Sequence, residues 1–390
     1  MKAMTSPFPS QNKSLPLSLP LGFFGLATGF WLWGLLLLAL HPEALQAARH
    51  PVLLAASHLL FLGFGVGVLV GAMHPLVPVV LEAPLPHPSW GYPTLALWGA
   101  GLPLQAWGFL EAEPRWVALG GGLVLLGLLL FAAHMALAFR RAVRWSPVAT
   151  ALAWVSFYLV LTPLLGMLQA LTLRMGFYDP ERLLWHVLAG LVGVFVLSIL
   201  GVGHKLVSMF TLSHGVDESV LGLLLWLLNL GLLGLALKQP MGLGLLALGV
   251  GLACYDTFCI LRHRVKRVLD VGVRHYLAGL AFLVLALLAL LAGQTLWAGL
   301  WFGLGFVALI VSGMLYKIVP FLVWTYRYAP RVGLETVPAL KAMLPEQAAG
   351  WAGRLLGLGA LLAPFWPPAF WLCLAGGVLC AYALEEVLRS

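Results

Sequence analysis

A helix needs about 20 consecutive apolar residues to cross a bilayer, because each residue rises about 1.5 Å through a hydrocarbon layer about 30 Å thick. This sequence offers about a dozen such stretches: near 20–41, 50–81, 91–111, 115–140, 146–173, 181–213, 219–237, 239–262, 274–293, 295–328, 350–366 and 368–387. The hydrocarbon core supplies no water to satisfy a backbone, so each stretch satisfies its own as a helix. With 62% of residues hydrophobic, 9% charged and a mean hydropathy of +0.98, lipid is the solvent of this chain. Almost no length remains for a soluble domain, so any chemistry sits within or between helices. Neighbouring stretches nearly touch around Lys238 and Gln294, and their limits are the least defined. Residues 1–19 are polar and proline-bearing and read as a disordered lead, since no small-residue cleavage site follows a short apolar core. Residues 20–390 then form one transmembrane domain.

Basic residues test the count, because they gather on the cytoplasmic side and a wrong number of spans would scramble them. With the N-terminus inside, only Arg49, Arg115, Arg174, Arg182 and Lys238 of the 22 Lys and Arg fall outside. Arg140, Arg141 and Arg144 fall inside, as do Arg262, Arg264, Lys266, Arg267 and Arg274. The expectation is a multi-pass protein of the cell's inner (cytoplasmic) membrane with both termini cytoplasmic. Its formal charge of +8 reflects topology and attraction to anionic lipid, and no nucleic-acid partner is expected.

Cys254, Cys259, Cys373 and Cys380 lie inside the stretches at spacings that match neither a zinc site nor a c-type haem attachment, and they read as small apolar core residues. Walker loops, His-Glu-x-x-His and nucleophile elbows are absent.

Three segments align without gaps: HLLFLGFGVGVLVGAMHPLVP from His58, LAGLVGVFVLSILGVGHKLVS from Leu188, and LWFGLGFVALIVSGMLYKIVP from Leu300. Gly63, Gly193 and Gly305 coincide, as do Gly71, Gly201 and Gly313, and then Pro78, Ser208 and Pro320. The offsets of 130 and 112 residues each span about four stretches. The reading is a four-helix unit repeated three times, over about 20–140, 146–262 and 274–387, with pseudo-threefold symmetry. Glycines at fixed spacing let a neighbouring backbone, or a flat cofactor, come close.

Twelve spans in three units, marked on the second, sixth and tenth, resemble the catalytic subunit of the haem-copper oxidase and nitric oxide reductase superfamily. The likeness is nearest to its C-type oxidase branch. There the tenth helix carries a His-x-His pair followed by a tract similar to Gly313–Pro320, and the sixth opens on a tract similar to Trp185, His186 and Gly190. The chain also resembles the membrane haem proteins of the nitric oxide response in length and in the place of His58. The resemblance implies an oxidase subunit I-like fold and b-type haem ligated within the helices.

Read through the repeat, the two ligand positions are Ala56 and His58, His186 and Leu188, and Ala298 and Leu300. The histidine pair of the tenth helix is therefore missing, the seventh stretch holds no histidine, and Gly190 stands where oxidases place a tyrosine. A dinuclear haem-copper centre is not expected. His58 and His186 remain, about 8–12 Å into the span by helical rise, and an intramembrane histidine is costly unless something satisfies it. Either of them is a candidate ligand of a b-type haem, or less readily of copper, with Gly63, Gly65, Gly67, Gly190 and Gly193 as the flat surface for a porphyrin. Their two-residue offset projects the rings about 200° apart, which argues against one haem held between both. The alternative is a core histidine bonded to a carbonyl. A possible second site comprises His74, His204 and Tyr316, which share one repeat position and which the same symmetry separates around the bundle. Lys205 and Lys317 beside them are expected to snorkel to headgroups. His134, Tyr255 and Asp256 lie near the basic ends, Asp256 as a candidate proton relay or, in the alternative, as the partner of a nearby Arg or of a hydrogen bond. His41, His50, His87, His214, His263 and His275 fall in or beside loops.

Two functions follow. One is a membrane haem protein handling or sensing NO or oxygen, or transferring electrons, with other membrane subunits or a redox protein as partner. The other is a cofactor-free relative acting as scaffold, assembly partner or small-molecule carrier.

Overall fold

A computed structural model describes residues 15–390, apart from 215 and 216. Each expected stretch is helical: α1 (Ser18–Leu40), α2 (Pro51–Leu81), α3 (Gly91–Leu110), α4 (Pro114–Phe139), α5 (Pro147–Arg174), α6 (Pro180–Thr211), α7 (Ser219–Ala236), α8 (Met241–Arg262), α9 (Val271–Leu291), α10 (Thr295–Arg327), α11 (Glu346–Leu362) and α12 (Ala369–Arg389). Ten are long and apolar enough to cross a membrane, α3 and α11 being the two that are not. The protein is thus an all-α, multi-pass membrane protein. The lead expected over 1–19 lies mostly outside the described residues, and Ser18 and Leu19 already belong to α1.

Proline and side-chain caps set several helix starts. Ser146 accepts from the Ala149 N–H at 3.2 Å, Asp179 from Glu181 and Arg182 at 3.1 Å, and Asp270 from Val273 at 3.1 Å. Pro147 and Pro180 follow the first two caps, where the missing N–H costs nothing.

Consecutive helices pack as antiparallel hairpins: α1 with α2, α3 with α4, α5 with α6, α7 with α8, α9 with α10 and α11 with α12. In each successive set of four, the fourth helix also touches the second, and α12 packs back on α1. The α10 helix is the most enclosed: 83% of its apolar window is buried, against 33% for α7, whose outer face is left to lipid.

The second, sixth and tenth helices each contain one π-helical segment, Leu59–Gly65, Ala189–Val196 and Trp301–Val307. Their first residues are separated by the offsets of the sequence alignment. Each segment receives rings from the helix before it. A methyl at Gly63 would lie 2.8 Å from the Phe30 side chain, one at Gly193 2.4 Å from the Tyr158 ring, and one at Gly305 2.3 Å from Phe282. A heptad back on the donating helices, Phe23, Ala151 and His275 meet Gly71, Gly201 and Gly313, all within 2.9 Å of the corresponding methyl. Seven residues on one helix are thus matched by eight on its partner, and the wider π turn absorbs the odd residue. Phe61 lies 5.5 Å from Phe195 and 6.1 Å from Phe302, so rings from α2, α6 and α10 fill the space between these helices.

Candidate functional site

The histidines fall at two levels on either side of the π segments. At the first, His58 lies about two turns into α2, and His186 sits early in α6. The His58 Nδ1–H donates to the Leu54 carbonyl at 2.8 Å, and the His186 Nδ1–H donates to the Thr162 carbonyl at 2.8 Å. A carbonyl only accepts, so each neutral ring keeps its lone pair on Nε2. The ring centroids are 6.2 Å apart and the planes 16° from parallel. The sequence offset suggests rings on opposite sides, yet the packing of α2 and α6 sets them side by side. Phe109 of α3 covers His58 at 4.6 Å.

A b-type haem needs imidazole nitrogens with free lone pairs and room for the macrocycle. An ion bound at about 2 Å by each of two imidazoles holds their centroids about 6 Å apart, so the donors meet the first need. The glycine faces do not meet the second. A methyl added at Gly63 would strike Phe30 and Leu102, one at Gly65 would lie 2.4 Å from the Phe195 ring, one at Gly67 2.5 Å from Trp98, one at Gly190 3.2 Å from Thr162, and one at Gly193 would strike Tyr158. The surface expected to receive a porphyrin receives side chains, so a haem does not fit there as the chain packs. Among the described residues, no three His, Cys, Asp or Glu side chains converge on a metal-binding position.

At the second level, His74, His204 and Tyr316 each acquire separate neighbours. His74 is fully buried, donates from Nδ1 to the Val70 carbonyl at 2.7 Å, and lies 5.9 Å from the ring of His134. His204 Nδ1 is 2.8 and 3.0 Å from the two oxygens of Asp256, with both side chains under a tenth exposed. Tyr316 sits beside the Cys380 thiol and 5.3 Å from the His275 ring. A residue of α4, α8 or α12 therefore meets the marked residue of α2, α6 or α10 in turn. Asp256 is engaged by a histidine on another helix rather than by an arginine.

Two expectations about single residues change. His275 does not belong to a loop region: it is buried within α9, its Nδ1 3.3 Å from the Ser312 hydroxyl. Lys317 does not snorkel, because it pairs with Asp270, the cap of α9. The pairings of His134 and Asp256 are not evident from sequence, although both residues occupy similar distances from the basic ends of α4 and α8. Cys373 and Cys380 are fully buried, and all four cysteines are free thiols.

No family model matches the chain, and no characterised protein matches it in sequence.

Proposed function

We propose that this chain is a twelve-span bundle of three four-helix repeats, related in architecture to the haem-copper catalytic subunits, that works without haem as a small-molecule carrier. The observation that carries the haem-free reading is the filling of the glycine faces by Phe30, Phe195, Trp98 and Tyr158. The repeat is supported by the three π segments and by their matched ring-on-glycine contacts.

The His204–Asp256 pair favours a carrier over an inert scaffold. Ionisable residues buried within a span are costly and commonly mark a substrate or proton pathway. A scaffold gains nothing from this, whereas a carrier gains a place to take up and release a proton. In this reading both termini face the cytoplasm, with Asp256 near that face, where the basic loops gather.

The purified protein is expected to show no Soret band. Reconstituted into vesicles under an imposed potential, it is expected to pass protons at a rate that Asp256→Asn abolishes. A stoichiometric Soret band lost on His58→Ala or His186→Ala would replace this reading with the haem one, which the paired rings at 6.2 Å favour.

A further inference from the structure

His74 and His134 share a property that the carrier reading leaves unused. The Nδ1–H of His74 donates to the Val70 carbonyl, and the Nε2–H of His134 donates to the Pro86 carbonyl. These bonds fix both tautomers, because carbonyls cannot donate. The remaining nitrogens, His74 Nε2 and His134 Nδ1, therefore carry bare lone pairs, and both are buried without a hydrogen-bond partner. The side chains are 0% and 1% exposed and their ring centroids stand 5.9 Å apart. Buried acceptors left unpaired are costly, and rings this close are placed to share one donor or one cation.

The surroundings narrow the choice. Phe23 and Phe131 flank His74 at 5.7 and 5.5 Å, and the Cα of Gly91 comes so near that a methyl there would lie 2.7 Å from Nε2. A water would donate to both nitrogens but find no donor among these rings for its own oxygen, leaving it two hydrogen bonds against the usual complement of about three. A proton shared directly is excluded by distance, because rings with centroids 5.9 Å apart keep their nitrogens at least about 3.6 Å apart, beyond the reach of a hydrogen bond. Zinc requires about four ligands and copper(II) a tetragonal set, and among the described residues no third ligand converges here. A monovalent d10 ion is the case that two imidazoles complete, since copper(I) is stable in linear two-coordination and its charge is shared with the rings.

We propose that His74 and His134 form a two-coordinate copper(I) site buried between α2 and α4. The exposed His87 stacks on Trp90 at 5.0 Å, and Trp90 lies 6.0 Å from His134, so a further imidazole stands at the exposed edge of this ring cluster. The site does not depend on the haem-free reading, because it lies on the other side of the π segment from His58.

The test uses the full chain and copper(I) kept reduced by ascorbate, in competition with bicinchoninate. The expected result is one tightly held copper(I) per chain, with two nitrogen neighbours and no sulfur by X-ray absorption. Stoichiometry is expected to fall from one to none in His74→Gln and in His134→Gln, and to stay at one in His58→Gln. Should the two variants fail to fold, a chain with all four cysteines changed to serine serves instead, and is expected to keep the ion. Absence of bound copper(I), sulfur coordination, or full stoichiometry in either folded variant would overturn the proposal, leaving the two rings bridged by water.

Discussion

Gly193 and Gly305 hold their places by contact rather than by flexibility. A methyl at either would sit 2.4 or 2.3 Å from an aromatic ring, so Gly193→Ala and Gly305→Ala are each expected to destabilise by about 1–3 kcal/mol through overpacking. Gly29→Ala, with nothing within 4 Å of the new methyl, is expected to be neutral or to stabilise by up to about 1 kcal/mol, as alanine does in a helix. Thermal unfolding in detergent checks all three, and equal losses at Gly29 and Gly193 would remove the contact argument. Asp270 provides the acid-sensitive point. Burial pushes its carboxyl up, but Lys317, Lys266 and the Val273 N–H outweigh this and hold it below the usual carboxylate range. Because the folded value is depressed, its stabilisation is present above the unfolded value of about 4 and is lost as the pH falls through the folded value. Unfolding curves between neutral pH and the region below about 4 are expected to show an acid loss that Asp270→Asn reduces; an unchanged pH profile would refute it.

Single helices were readable from sequence as apolar runs long enough to span a bilayer, whereas the caps at Ser146 and Asp179 that fix two of their starts came only with the structure. Their departures from regularity were not readable either. Nothing in the residues from Leu59 to Gly65 distinguishes a π turn from an α turn, since both bury the same leucines and glycines. The estimate of rings 200° apart for His58 and His186 assumed equivalent helices and took no account of how α2 and α6 pack against each other. The partners of His74 and His204 lie 60 and 52 residues away, beyond the reach of any periodicity. The tie between α6 and α8 is open to measurement. Removing one member of the buried His204–Asp256 pair, as in Asp256→Leu or His204→Leu alone, is expected to cost about 3–5 kcal/mol, whereas the two together are expected to recover most of that loss. Additive losses in this double-mutant cycle would show that the two side chains do not act as a pair.

Across the whole molecule, the sequence carried the arrangement further than it carried the site. Charge segregation and the aligned glycines sufficed to propose three units, because packing between helices in lipid depends on small residues that recur visibly. The porphyrin surface failed for the same reason: a glycine face in lipid takes a ring from a neighbouring helix as readily as a cofactor, and only the fold decides which. Topology itself is checked with single cysteines in a cysteine-free chain. Arg264→Cys and Lys238→Cys, at opposite ends of α8, are expected to react with an impermeant maleimide from opposite sides of sealed vesicles, and labelling of both from one side would sink the twelve-span arrangement.

The π segments separate His58 from His74 and His186 from His204. An extra residue in a helix has no fixed address: passing it to the next turn changes one set of hydrogen bonds and leaves the count unchanged. Each such step turns the stretch it crosses by about 100° while both helix ends stay anchored. Here such a step would turn a larger residue toward Phe30, Tyr158 or Phe282, where only a glycine fits, so the three glycines pin the dislocations and keep the two histidine levels in fixed register.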